Sequence, residues 1–244
     1  MTDTTAAPPA SDEPSPTPSQ TLSRGIQILE VLADSAAPLP IGELARRLEV
    51  HRSIAYRLVR TLEGHGLVVR NSTGHVLLGV RLAALAAGVA RDLQTEALPE
   101  LTATANELGV TSFLAVLDQF QCVTLVSVEP RHAAALMAQR PGARHSITVG
   151  APGKAIMSLL RESEWPHGVS DRLRAEVAEV SARGYSTSHD EVIPTVQAVA
   201  VPLLLNAHPP AALSVVYVGP HHDPEALAAR LQRAAHTIRG ALGR

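Results

Sequence analysis

Residues 50–70 read VHRSIAYRLVRTLEGHGLVVR, and their spacing decides what kind of domain this chain begins with. Ile54, Ala55, Leu58, Val59 and Leu62 recur at helical intervals and make one apolar stripe. Ser53, Tyr56, Arg57 and Arg60 fall on the other side at offsets of three, four and seven. His51 or Ser53 stands near the start, and Gly64-His65-Gly66 stops the helix. The segment therefore has a greasy side for a core to cover and a cationic side available to a partner.

Upstream, Leu22, Ile26, Leu29 and Leu32 are spaced as the inner face of a first helix, with Thr21 or Ser23 as its N-cap. Pro40 opens a short second helix carrying Ile41, Leu44, Ala45 and Leu48. The link into the third helix is long enough only for a tight turn. Downstream, LVVR, the turn NSTG and HVLLG form two short strands joined as a hairpin. Three helices and a hairpin make a winged helix-turn-helix over residues 21–81, whose third helix enters the major groove of double-stranded operator DNA. Arg24, His51, Arg52, Ser53, Tyr56, Arg57, Arg60 and His75 are the candidate DNA-binding residues. Periodicity alone fits equally a three-helix unit whose polar face is merely solvated.

Charge is unevenly spread. The net value is −2, yet residues 21–81 hold eight arginines against five acids. A surplus of three is too modest to establish nucleic-acid binding by itself. The full 244 residues suffice for two modest domains, and with aromatics at 2% their cores are built from Leu, Val, Ala and Ile. A single cysteine, Cys122, rules out an intrachain disulfide and a Cys-based zinc site, and suits a small core residue in a reducing cytoplasm. The first twenty residues, with five prolines among Ser, Thr and Asp, resemble neither signal peptide nor anchor and are expected to be a disordered tail. The apolar run LAALAAGVA at 82–90 is far short of the ~20 residues a bilayer crossing needs, so no membrane partner is expected.

The remainder predicts a linker helix of small residues over 82–96, suited to packing against a copy of itself, and a helix with Leu98, Leu101, Ala105 and Leu108 closed by Gly109. TSFLAVLD and CVTLVSVE read as paired strands, AALMAQR as a third, and PGARHSITVGAPG as a loop into the helix KAIMSLL, whose amino end would attract a carboxylate. GAPGKA is not a P-loop, because Thr148 stands where the first Gly should and Ala155 replaces the Mg-binding hydroxyl. Ser188, His189 and Asp190 are adjacent on a strand and point to opposite faces, so they cannot form a catalytic triad. Asp223 before Pro224 reads as a helix cap rather than a metal ligand. No cofactor is expected.

Residues 23–86, SRGIQILEVL through RLAALA, resemble the amino-terminal domain of the IclR family of bacterial transcriptional regulators. The likeness resumes in GAPGKAIMSLL at 150–160, RGYSTSHDE at 183–191 and AALSVVYVGP at 211–220, and covers residues 22–242 in order. It implies an α+β protein: a winged helix-turn-helix, a linker helix, and over 97–244 a GAF-like α/β domain that binds a small organic-acid-like effector and forms dimers or dimers of dimers. By position, the effector residues implied are Gly150, Ala151, Gly153, Ser188, His189, Val196, Ala198, Ser214 and Val216. Pro152 in the helix-start motif and the extra residues of SVVYVGP depart from the family pattern and alter that wall. The rival, a small-molecule enzyme or sensor with an accessory helical domain, would need a clustered acid, base or metal set.

Overall fold

The computed structural model describes residues 19–132, 139–219 and 222–243. The chain divides into two compact units between Val89 and Ala90. In the first, α1 (Gln20–Ala33) is capped by Ser19, whose hydroxyl accepts from the Leu22 N–H at 3.4 Å, and not by Thr21 or Ser23. Its inner face is Gly25, Ile28 and Leu32, whereas Leu22 and Ile26 are 64% and 48% exposed. Both stripes have helical spacing, and contact with the third helix selects between them.

α2 (Ile41–Arg47) and α3 (Arg52–Gly64) follow, joined through Glu49 in the left-handed region at φ 52°. β1 (Val68–Arg70) and β2 (Val76–Leu78) form the expected antiparallel wing. Leu39 exchanges both backbone hydrogen bonds with Val76, so the wing is tied to the chain between α1 and α2. Ile28, Leu32, Leu44, Leu58, Val59, Leu62, Val68 and Val76 make the core.

The linker departs from expectation. α4 covers only Arg81–Ala86, Ala90 turns left-handed at φ 44°, and a new helix, α5 (Arg91–Leu108), begins. One helix across 82–96 is therefore wrong. Residues 83–89 are exposed, and Gly88 among them is a poor helix former. α5 buries Leu93, Ala97, Leu101 and Ala105, leaves Leu98 exposed, and ends at Gly109.

In the second unit β3 (Thr111–Asp118) and β4 (Gln121–Val128) pair as predicted. The expected third strand, 134–140, lies mostly outside the described residues. The neighbour of β4 is instead β5 (Arg144–Ser146), a segment the sequence suggests is loop. α6 starts at Ala151 rather than Lys154 and ends at Met157, with Pro152 in its first turn. α7 (Asp171–Arg183), β6 (Ser186–His189), β7 (Val196–Leu203), β8 (Ala211–Val218) and α8 (Pro224–Leu242) complete the unit. The sheet is antiparallel throughout, in the order β5-β4-β3-β8-β7-β6.

Alternation divides the strands between two cores. Leu114, Val199, Val201, Leu213 and Val215 face α5 and α8, while Phe113, Ala115, Ala198, Ala200, Ala212 and Val216 face α6. The small residues of that second face let α6 approach closely. Asp223 caps α8, accepting from Glu225 N–H at 3.0 Å, and buried Arg230 ties α8 to α5 through Glu107 at 2.6 Å. Cys122 is buried, and desolvation pushes its thiol up to about 12, the behaviour of a core residue.

Candidate nucleic-acid interface and effector cavity

α3 is built to show one face. Ala55, Leu58, Val59 and Leu62 anchor it in the core. His51 caps its first turn, with Nδ1 3.3 Å from the Ser53 backbone N and 2.9 Å from Ser53 Oγ. Arg52, Ser53, Tyr56, Arg57 and Arg60 are all exposed on the opposite side, as the spacing predicts. Arg24 on α1 and His75 at the foot of β2 are half-buried.

The arginines of this unit differ in their electrostatic surroundings. Arg46 and Arg47 each lie 2.7 Å from a Glu43 oxygen, and their hydrogen bonds hold that carboxyl down to about 2. Arg52, Arg57 and Arg60 make no ion pair among the described residues. The positive surplus is thus concentrated on α3.

Arg70 is a functional candidate that periodicity and charge alone do not single out. Its guanidinium carbon lies 5.3 Å from the centre of the Tyr56 ring, and its Nε is 3.5 Å from Glu63 Oε1. The signal that could have found it is strand alternation: Arg70 lies on the same side of β1 as buried Val68, facing inward.

In the second unit a cavity of about 40 Å³ opens between the sheet and the start of α6. Gly150, Ser188, Val196, Ala198 and Val216 line it, so five of the nine implied residues come together, with Phe113 and His145 beside them. The other four do not line it. Ala151 is wholly buried in the core behind, and Gly153 is pressed so close to the backbone of Ile147 that a Cβ there would stand 2.4 Å from the Ile147 carbonyl oxygen. Ser214 is fully buried, its Oγ without a partner among the described residues. His189, its side chain 64% exposed, faces a groove along β6 instead. Ser188 borders both that groove and the cavity, whereas His189 lines the groove alone.

The amino end of α6 is already occupied by an acid of the chain itself. Glu191 Oε2 accepts from the Gly150 N–H at 2.8 Å. Lys154, 5% exposed, reaches Glu191 Oε1 at 2.5 Å, Glu176 Oε2 at 2.7 Å and the Thr187 carbonyl at 3.3 Å. The hydrogen bond from Lys154 holds the Glu176 carboxyl below the usual value, against the effect of burial. This cluster anchors the segment after β6, whose Val192 and Ile193 cover the cavity. No group of three or more His, Cys, Asp or Glu among the described residues is arranged to hold a metal.

The IclR helix-turn-helix domain model matches residues 21–72, and the bacterial transcriptional regulator IclR C-terminal model matches residues 85–239. The chain belongs to the IclR family. Curated relatives of this IclR-family protein include the Escherichia coli HTH-type transcriptional regulator XynR, 27% identical over 92% of this chain and 97% of that one. The Escherichia coli transcriptional repressor IclR is 28% identical over 70% of each chain. Among solved structures, an IclR homolog from Microbacterium hydrocarbonoxydans complexed with 4-hydroxybenzoate superposes with a TM-score of 0.80 at 23% identity, covering 92% of this chain and 99% of that one. An IclR-type regulator from Alicyclobacillus acidocaldarius gives 0.79 at 24%, covering 93% and 100%; at these identities the likeness is one of fold. As an IclR-family member the protein is a DNA-binding transcriptional regulator with an effector-binding carboxy-terminal domain, and not an enzyme. No helix among the described residues is long and apolar enough to cross a membrane.

Proposed function

We propose that α3 lies in the major groove of operator DNA, with Arg52, Ser53, Tyr56 and Arg57 meeting base edges and phosphates and Arg60 a phosphate one turn further on. Arg24, His51 and His75 flank that surface. The observation that carries this is the exposed row of Arg52, Arg57 and Arg60, unpaired among the described residues, on a helix whose other side is anchored in the core. The active species is a homodimer acting in the cytoplasm, reading half-sites about one helical turn, ~34 Å, apart or a multiple of it. Leu22 and Ile26 on α1 and Leu85 on α4 support self-association, being large apolar groups left exposed among the described residues.

The effector is a small organic acid or an acid-like metabolite, bound in the cavity lined by Gly150, Ser188, Val196, Ala198 and Val216. The relative solved with 4-hydroxybenzoate supports the chemical class. A space of about 40 Å³ is small beside the usual ligand pocket, so we infer that Val192 and Ile193, which line it, shift when the acid enters. The effector then shifts the regulator between arrangements by no more than its differential affinity for them.

Anisotropy titrations with the intergenic duplex upstream of the gene, at two salt concentrations, test the DNA assignment. Changing Arg52, Arg57 and Arg60 together to Ala should weaken binding at least about tenfold and flatten the logarithmic salt slope by ~0.9 for each phosphate the protein no longer neutralises. Unchanged affinity would remove α3 from the interface. For the cavity, calorimetry with 4-hydroxybenzoate should give heat with the natural chain and none with Ser188→Leu, which fills the space. Equal heats would put the acid elsewhere.

A further inference from the structure

We propose that Arg70 is a positioning residue for DNA reading: from the wing it holds the Tyr56 ring still, and so sets how sharply the protein separates its operator from other DNA. This rests on the assignment of α3 to the groove. Arg70 is the last residue of β1 and pairs with Val76, which is fully buried. Val68, two residues earlier, is buried too, while Val69 between them is 41% exposed. The Arg70 side chain therefore turns toward α3.

There it touches two points of the helix. Tyr56 and Glu63 are seven residues apart, two turns along one face, and the guanidinium meets the ring of the first and the carboxylate of the second. Its Nε and Nη2 are shut away from solvent and donate to no hydrogen-bond acceptor among the described residues, the 3.5 Å approach to Glu63 being too poorly aligned to count as one. Orphaned buried donors are rare, because a cation so placed has lost hydration without full replacement. Core packing alone would be served better by Leu or Met. What an arginine adds is a flat, charged plate under an aromatic ring.

The ring it supports is 45% exposed and central to the outward stripe, with Ser53 before it and Arg57 and Arg60 after it. An unsupported tyrosine at such a site samples several rotamers, whereas a clamped one presents a fixed edge to a base or a thymine methyl group. Phosphate contacts set position and general affinity; base contacts set sequence preference. Two of the donors of Arg70 are turned inward, so its effect should fall on preference.

The test uses the full chain, the upstream intergenic duplex and a scrambled duplex of equal length and composition. Arg70→Met keeps the apolar stem and removes the plate. Its ratio of operator to scrambled affinity should fall about three- to tenfold with an unchanged salt slope, Arg70→Lys should recover part of the loss, and in a Tyr56→Leu background Arg70→Met should change nothing further. Equal weakening on both duplexes with a slope shallower by ~0.9 would make Arg70 a phosphate contact and overturn the inference. So would a loss that persists undiminished without the Tyr56 ring. Should Arg70→Met fail to fold, Tyr56→Leu and Arg70→Lys decide together: the proposal is supported if Tyr56→Leu loses the ratio and adding Arg70→Lys to it changes nothing further, and is overturned if Tyr56→Leu discriminates as well as the natural chain or if Arg70→Lys still lowers the ratio without the Tyr56 ring. The triple alanine variant of Arg52, Arg57 and Arg60 separates the two levels. If it binds normally, the groove assignment has failed; if it fails to bind while Arg70→Met discriminates normally, only the present inference has.

Discussion

Lys154 shows how one side chain holds a functional wall in place. A lysine 5% exposed is tolerated because Glu191 and Glu176 both reach it, and Arg172 in turn lies 2.8 Å from Glu176. Glu176 is the group whose ionisation reports on this cluster. Its folded-state value is depressed below 4.5, chiefly by the hydrogen bond from Lys154, so the unfolded chain takes up its proton first as pH falls. The stabilisation is complete above about 4.5 and lost as pH drops through the lower, folded value. Glu176→Gln should therefore lower stability by about 1–2 kcal/mol at neutral pH, a figure reduced by the partial exposure of the pair, and should flatten the acid limb. Urea unfolding between pH 7 and pH 3 measures both; coincident curves for the two proteins would show that the pair contributes nothing.

At the scale of elements, sequence patterns succeeded where a segment carried its own reason for its conformation. α3 has five apolar residues in one stripe and a cap, and β3 and β4 are long apolar runs around a short turn. Asp223 sits before Pro224, and its carboxylate satisfies an N–H that the helix itself leaves unpaired. Asp223→Ala should cost about 1 kcal/mol, lowering the melting temperature by about 2–4 °C, with calorimetry as the measure. No change would mean that α8 is held only by its apolar face. Where patterns competed or were missing, the sequence reading went astray. α1 offers Leu22 with Ile26 and Gly25 with Ile28 and Leu32, both at helical spacing, and β5 is three residues, Arg-His-Ser, with no strand pattern of its own.

Over the whole molecule, the proposed dimer has a direct consequence. If Leu22 and Ile26 are covered by a second copy, Ile26→Glu should put a charge into that contact, shift sedimentation toward monomer at micromolar concentration, and weaken operator binding by about tenfold or more, since the second half-site is then no longer engaged by the same particle. Unaltered sedimentation would leave that face of α1 outside any dimer contact. Much of the molecule's plan was legible in advance: the winged helix-turn-helix and the order of the later motifs. Local periodicity and turn residues determined the winged helix-turn-helix, because they act between near neighbours in the chain and need no fold to exist, whereas the later motifs were read by resemblance to the family. The tertiary structure decided the rest. Glu191 closing α6 across 41 residues and Arg70 under Tyr56 are contacts through space, whose partners are chosen only when strands and helices are brought together.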